Sequence, residues 1–231
     1  MVRNFYVNLF MSVSRGGLGS LPTARVGKRM LGDGNVKTDI VDADRARLFA
    51  LLARLLASAP DVALLASLSR LSAGPGEVGE AQGALSVAAR ATTPELCDRE
   101  FFNLFIGVGR GELLPYASYY LTGFLHERPL ADLRGDLMQL GIERAEGVAE
   151  PEDHFAFVAE TFAGLLDGRF GPGDDGSGEA AAAFFARHIR PWAGRLFADL
   201  ERAETAVFYR AVGRLGRIAI EIETAAADLP A

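Results

Sequence analysis

The apolar residues of this chain recur at helical spacing almost from end to end. Nowhere does a convincing run of alternating β-branched residues mark a strand. "DADRARLFALLARLLAS", residues 42–58, sets the pattern. Asp42 and Asp44 are start signals, and Leu48, Leu51, Leu52, Leu55 and Leu56 make one apolar stripe. "PDVALLASLSRL" follows, with Pro60 placed for a first helical turn. "AGPGEVGE" reads as a loop and "EAQGALSVAARAT" as a weaker helix. "TPELCDREFFNLFIG" opens on Thr93 as an N-cap with Pro94 at the first helical position. Two short helices separated at Pro129 follow, then a loop at "ERAEGVAEPED". Next comes a strong helix with Phe155, Val158, Phe162, Leu165 and Leu166 on one side. Beyond the solvent loop "RFGPGDDGSG" lie a helix broken near Pro191 and a long closing helix from Thr205. The expected fold is all-α, a single-domain bundle of about ten helices without an internal repeat.

With 231 residues, 49% of them hydrophobic, the chain can fill one core. Its single cysteine, Cys97, excludes an internal disulfide or a CxxC zinc pair. It reads as a buried thiol. Cysteine poverty fits the cytoplasm.

Charge is unevenly spread. Residues 1–41 carry six basic residues (Arg3, Arg15, Arg25, Lys28, Arg29, Lys37) against Asp33 and Asp39. That is +4, so the remainder carries −10 of the total −6. An acidic body does not suit phosphate backbones and does suit a basic partner. No apolar run approaches the length of a membrane span. The start "MVRNFYVNLFMSVSRGG" is a poor signal peptide, its apolar stretch broken by Asn4 and Asn8. Residues 1–41 are read as a disordered basic extension, or as an upstream start, ahead of a helical domain at 42–229.

Enzyme motifs are missing. His126, His154 and His188 form no zinc-spaced pair. "GVGRGE" at 107–112 lacks the lysine and the preceding strand of a phosphate loop. Ser118 has no base at a recognisable offset. Trp192 reads as core, His126 as surface and His188 as part of a helix bend.

Two stretches remain unusual. "GELLPYASYY", residues 111–120, crowds an acid, a proline and three tyrosines after a glycine-rich loop. Tyr116, Tyr119 and Tyr120 can each be core rings with a hydroxyl at the edge. Their density beside Glu112 and Pro115 also suits a contact surface for a polypeptide. "EPEDHFAF", residues 150–157, has two readings that stand side by side. In one, Glu152 and Asp153 fill the first turn of a helix and complement its dipole. In the other, Asp153 and His154 face a cleft and hydrogen-bond a guest.

Together the two stretches resemble the TorD/DmsD/NarJ group of redox-enzyme maturation chaperones. The resemblance rests on Phe101, Leu104, Phe105, Glu112, Pro115, Tyr116 and Ser118, then on Glu150, Pro151, Asp153 and His154. It spans about residues 42–225 and includes "FFARHIRPWAGRLFADLE". It implies an all-α cytoplasmic chaperone without catalytic turnover and without a cofactor of its own. Such a protein binds the twin-arginine leader, the body, or both, of an apo molybdoenzyme precursor and holds it for molybdopterin insertion before export or assembly. The implied peptide site is the set just named with Tyr119 added, and the second stretch also acts as a hinge. The implied oligomeric state is a monomer or a domain-swapped dimer, and weak guanine-nucleotide binding is reported for parts of the family. "LLPYASYYLTGFLHERPL" is similar to chaperones of formate dehydrogenase, while dimethyl sulfoxide, trimethylamine N-oxide and nitrate reductases are other clients of the group. The competing readings are a metal-dependent hydrolase using Glu112, Asp153 and His154, and a structural subunit of an oxidoreductase complex.

Overall fold

A computed structural model describes residues 11–13, 33–145, 148–171 and 177–228, with side chains undescribed at 11–13, 33–40 and 177. Among these residues there are ten α-helices: α1 (Asp33–Ala57), α2 (Val62–Leu68), α3 (Gly76–Arg90), α4 (Pro94–Phe101), α5 (Ala117–Thr122), α6 (Arg128–Gln139), α7 (Phe155–Leu166), α8 (Ser177–Phe184), α9 (Ala193–Arg202) and α10 (Phe208–Ala227). The all-α architecture read from periodicity is the one observed. A small antiparallel pair, β1 (Met11–Val13) with β2 (Ile142–Arg144), is an addition that the sequence reading did not anticipate. Three residues are too few to show an alternation.

The bundle is organised around α7. All twelve of its residues are buried. The sequence reading gave it one apolar side; its Ala- and Phe-rich text instead suits a helix enclosed all round. Phe162 meets Phe49 of α1 edge-to-face, with centroids 4.7 Å apart. Phe155 meets Phe197 of α9 in the same way at 4.8 Å. Helices α9 and α10 approach closely because Gly213 has no side chain. A Cβ there would lie 2.6 Å from the backbone nitrogen of Glu201.

Local signals place the starts of α2 and α4. Thr93 accepts from the Leu96 amide at 3.3 Å, and Pro94 follows in the first turn, as expected. For α2 the cap is Asp61, accepting from the Leu64 amide at 2.7 Å, with Pro60 two residues before the helix rather than inside it. Helix α1 begins at Asp33, so the boundary expected at 42 falls inside a helix. The onset of apolar periodicity at 42 is not the onset of hydrogen bonding. Most of the basic extension lies outside the described residues. Cys97 is buried, accounting for its raised pKa, and lies 3.5 Å from the Thr92 hydroxyl. Trp192 is core, its indole donating to the His188 carbonyl at 2.7 Å.

Two helices end in π-helical turns, Phe102–Ile106 after α4 and Phe185–Ile189 after α8. Such turns widen a helix by one residue and re-aim the side chains beyond it. The first leads directly into the glycine-rich loop.

Candidate functional site

The loops before α5 and α7 are stitched together. Residues Tyr116 and His154 form an isolated antiparallel bridge. The Ala117 amide donates to the Asp153 carbonyl at 2.9 Å, and the Phe155 amide donates to the Pro115 carbonyl at 2.8 Å. Two helix N-termini therefore start side by side, and each needs acceptors for its unpaired amides.

Asp153 supplies them for α5. Its Oδ2 accepts from the Ser118 amide at 2.9 Å and from the Ser118 hydroxyl. Ser118 is fully buried and Asp153 is 1% exposed. A buried carboxylate is costly unless hydrogen-bonded, and the positive end of a helix is a favourable place for it. His154 is the N-cap of α7 and its Nδ1 accepts from the Ala156 amide at 3.1 Å. Burial lowers its pKa to about 4, so the ring is a neutral acceptor and does not oppose the helix dipole.

Neither sequence reading of 150–157 fits this geometry. Asp153 lies outside the first turn of α7 and caps the other helix. It does not face a cleft. Glu152 also precedes α7. It takes two hydrogen bonds from Arg134 of α6, at 3.0 and 2.7 Å, and lies 3.8 Å from Arg144 of β2. Burial would raise the pKa of Glu152, but these arginines reverse it and the net shift is downward. Pro151 closes the turn, its carbonyl accepting from the His154 amide at 3.1 Å. The Arg144 guanidinium donates to the Glu150 carbonyl at 3.0 Å.

The tyrosines differ from one another. Tyr116 lies edge-on to His154, centroids 5.0 Å apart, and its hydroxyl donates to Glu150. Burial, then the Glu150 carboxylate, push its pKa well up. Tyr120 lies tilted against Trp192, centroids 5.7 Å apart, and donates to Asp199 at 3.1 Å. Tyr119 is half-buried, with Arg110 over its ring.

On the other flank, Leu104 is fully buried, and Phe101 and Phe105 pack on each other at 5.0 Å and on Tyr209 at 6.0 and 5.5 Å. These rings join the core. The glycine loop folds onto the π-turn: the Leu113 amide reaches the Leu104 carbonyl at 2.8 Å, and the Glu112 amide reaches the Asn103 carbonyl at 3.1 Å. Gly107 has φ 63°, and a Cβ there would overlap the Arg110 carbonyl oxygen. Glu112 accepts from the amides of Glu204 and Thr205 at 2.6 and 3.2 Å and from the Thr205 hydroxyl at 2.6 Å. Burial would raise its pKa; these three donors outweigh that and lower it.

The structure thus brings Pro115, Tyr116, Ser118, Glu150, Pro151, Asp153 and His154 into one clasp. Phe101, Leu104 and Phe105 stand in the core beside the π-turn, and Glu112 is tied to the α9–α10 loop. The trio of Glu112, Asp153 and His154 needed by a metal-dependent hydrolase is not assembled, and no metal-binding group of three occurs among the described residues. What stands open is apolar. Phe102, Ile106 and Val108 are exposed on the segment before the clasp, and Leu121, Phe124 and Leu125 on the segment after it; Phe124 is 70% and Val108 98% exposed.

Sequence reasoning missed Glu100, Arg110, Arg134, Arg144 and Asp199. Glu100 accepts from the amides of Val207, Phe208 and Tyr209 at 2.7, 3.1 and 2.7 Å and so caps α10 from a distance. Nothing local singled it out, since Glu95, Asp98 and Arg99 share its helix. No helix among the described residues is long and apolar enough to cross a membrane.

Known proteins agree with this picture. A solved structure from Archaeoglobus fulgidus, described as a redox enzyme maturation protein, matches with a TM-score of 0.53 at 18% identity, covering 85% of this chain and 99% of that one. That likeness is one of fold. The chaperone protein TorD of Aliivibrio fischeri (strain ATCC 700601 / ES114) is 33% identical over 69 residues, 29% of this chain. The match spans about a third, 32%, of the length of that relative. The family model described as nitrate reductase delta subunit matches residues 72–198, which holds both the clasp and the exposed apolar segments. That match takes in more than half of the chain, and with it this protein belongs to the nitrate reductase delta subunit family, the TorD/NarJ group.

Proposed function

We propose that this protein is a cytoplasmic maturation chaperone. It binds the twin-arginine leader, the body, or both, of an apo molybdoenzyme precursor and holds it until molybdopterin is inserted. It works by binding and release, without turnover. The observation that carries this reading is the division of labour in the matched region. The titratable groups of the clasp are engaged in capping and pairing, while six apolar side chains on its two flanks are open. A site for reaction needs an available acid, base or nucleophile. A site for a polypeptide needs open rings and aliphatic groups beside acids. Glu150, half-buried, and Asp199, exposed, each accept from one tyrosine hydroxyl, of Tyr116 and of Tyr120, and each keeps a second carboxylate oxygen for a guest. A twin-arginine leader brings two guanidinium groups and an apolar stretch, which fits acids, rings and a body charge of −10.

The test is calorimetric titration with twin-arginine leaders from the same genome, beside versions with both arginines changed to lysine. One leader, that of a formate dehydrogenase by the text of 113–130, binds tightly and loses affinity with lysine. Absence of binding to every leader removes the leader from the proposal. Titration with the apo precursor body then decides whether chaperoning survives. The family description favours a second reading, a subunit that stays attached to a mature reductase. Co-purification with the cofactor-loaded enzyme, in fixed stoichiometry, separates that from a chaperone, which leaves.

A further inference from the structure

Arg110 holds a position that its neighbours do not explain. Arg45, Arg134, Arg187, Arg190 and Arg217 are each held by a carboxylate. Among the described residues Arg110 is in no ion pair. Its contacts are with Tyr119: Nη2 donates to the phenolic oxygen at 2.5 Å, and Cζ lies over the ring 5.1 Å from its centroid. The two partners differ in how firmly they are held. Tyr119 belongs to α5, whose N-terminus is fixed by Asp153, and its ring lies edge-on to Tyr120 at 6.0 Å. Tyr120 is in turn held by Asp199 and Trp192. Arg110 is exposed and follows Gly109, whose φ is 87° and whose absent Cβ would meet nothing. A rigid ring carries a loosely tethered guanidinium.

We infer that the face of Tyr119 is a guanidinium-binding site, and that Arg110 is its resident occupant until an arginine of the guest replaces it. This rests on the leader-binding reading. A planar guanidinium stacks on a ring and donates at its edge at once, and an ammonium does not. The site therefore favours arginine over lysine, and Arg110 sets the threshold that a guest must exceed. Displacement costs the chain little, because the loop at Gly109 is open and Arg110 passes to water.

Leader titration of Arg110→Gln, Arg110→Lys and the double variant Arg110→Gln/Tyr119→Ala tests this. Arg110→Gln binds the twin-arginine leader about two- to fivefold more tightly than the wild type, the worth of one exposed cation–π contact. It gives no such gain for the twin-lysine leader. Arg110→Lys keeps the charge but loses the stack, and gains part of the affinity. Loss of Tyr119 from the double variant abolishes the gain. Equal gains for both leaders, or no gain in Arg110→Gln while the wild type binds, overturn the inference; equal gains would point to simple charge repulsion. If no leader binds any variant, the leader-binding reading falls and arginine amide serves as the probe. It then shifts the Tyr119 ring resonances more in Arg110→Gln than in wild type; equal or absent shifts overturn the ring site itself.

Discussion

Asp153 shows how a side chain can look functional in a sequence and be structural in the fold. It sits in the stretch that most resembles a binding motif, yet its carboxylate closes the first turn of α5. Asp153→Ala should cost about 2–3 kcal/mol in urea unfolding, because it leaves the buried Ser118 donors unpaired. Asp153→Asn keeps an acceptor and should cost about half as much. If Asp153→Ala leaves the urea midpoint unchanged, the clasp is not a stability element. His154 is a neutral cap rather than a charged one, since burial favours the uncharged ring. From the sequence a helix over this stretch was legible, but its start was read at Pro151, which put His154 inside the helix rather than at its cap. The direction of its lone pair was not legible, because that depends on burial by residues far along the chain.

At the scale of elements, the capping of α10 is the clearest long-range dependence. Val207, the residue before α10, offers no side-chain cap. Glu100 of α4, about a hundred residues earlier, takes three of its first amides. Glu100→Ala should destabilise the protein by about 2–3 kcal/mol, and hydrogen exchange should be fastest to rise in the first turn of α10. A uniform rise along α10 would mean that its packing on α9, rather than the cap, holds that end. The starts of α2 and α4 were legible because their caps are local. The start of α10 was not, because its cap comes from another helix. The two π-turns escaped the sequence reading for a similar reason. A single widened turn leaves the apolar period almost intact on either side.

At the scale of the whole molecule, two buried groups give opposite pH limbs. His154 has a pKa of about 4 in the fold against 6.5 unfolded, from burial. The folded state binds fewer protons between those values. The stability is complete above pH 6.5 and is lost as pH falls toward 4. Glu160 of α7 is raised to about 7 from 4.5 by burial, which the Arg169 charge only partly offsets. The folded state holds the extra proton, so this contribution is complete below pH 4.5 and is lost as pH rises toward 7. Between pH 4.5 and 6.5 the limbs oppose each other and the wild-type curve should be nearly flat. Glu160→Gln should unmask a loss on the acid side and gain up to about 3 kcal/mol relative to wild type at pH 8 over pH 5. His154→Asn, which keeps a cap, should unmask the loss toward neutral pH. Urea midpoints across pH 4–8 measure both, and a Glu160→Gln curve parallel to wild type would place Glu160 outside the titration.

The all-helical class, the existence of most helices and the two stretches that carry the family were determined by the sequence alone, because helix periodicity, proline placement and local caps act within a few residues. The tertiary structure decided what the polar residues of those stretches do. Asp153, Glu112 and Glu100 are all acids beside apolar text. Each was assigned its role by which helix end or loop the packing of α7, α9 and α10 brought within hydrogen-bond reach. That distance is set by the core, and no local pattern encodes it.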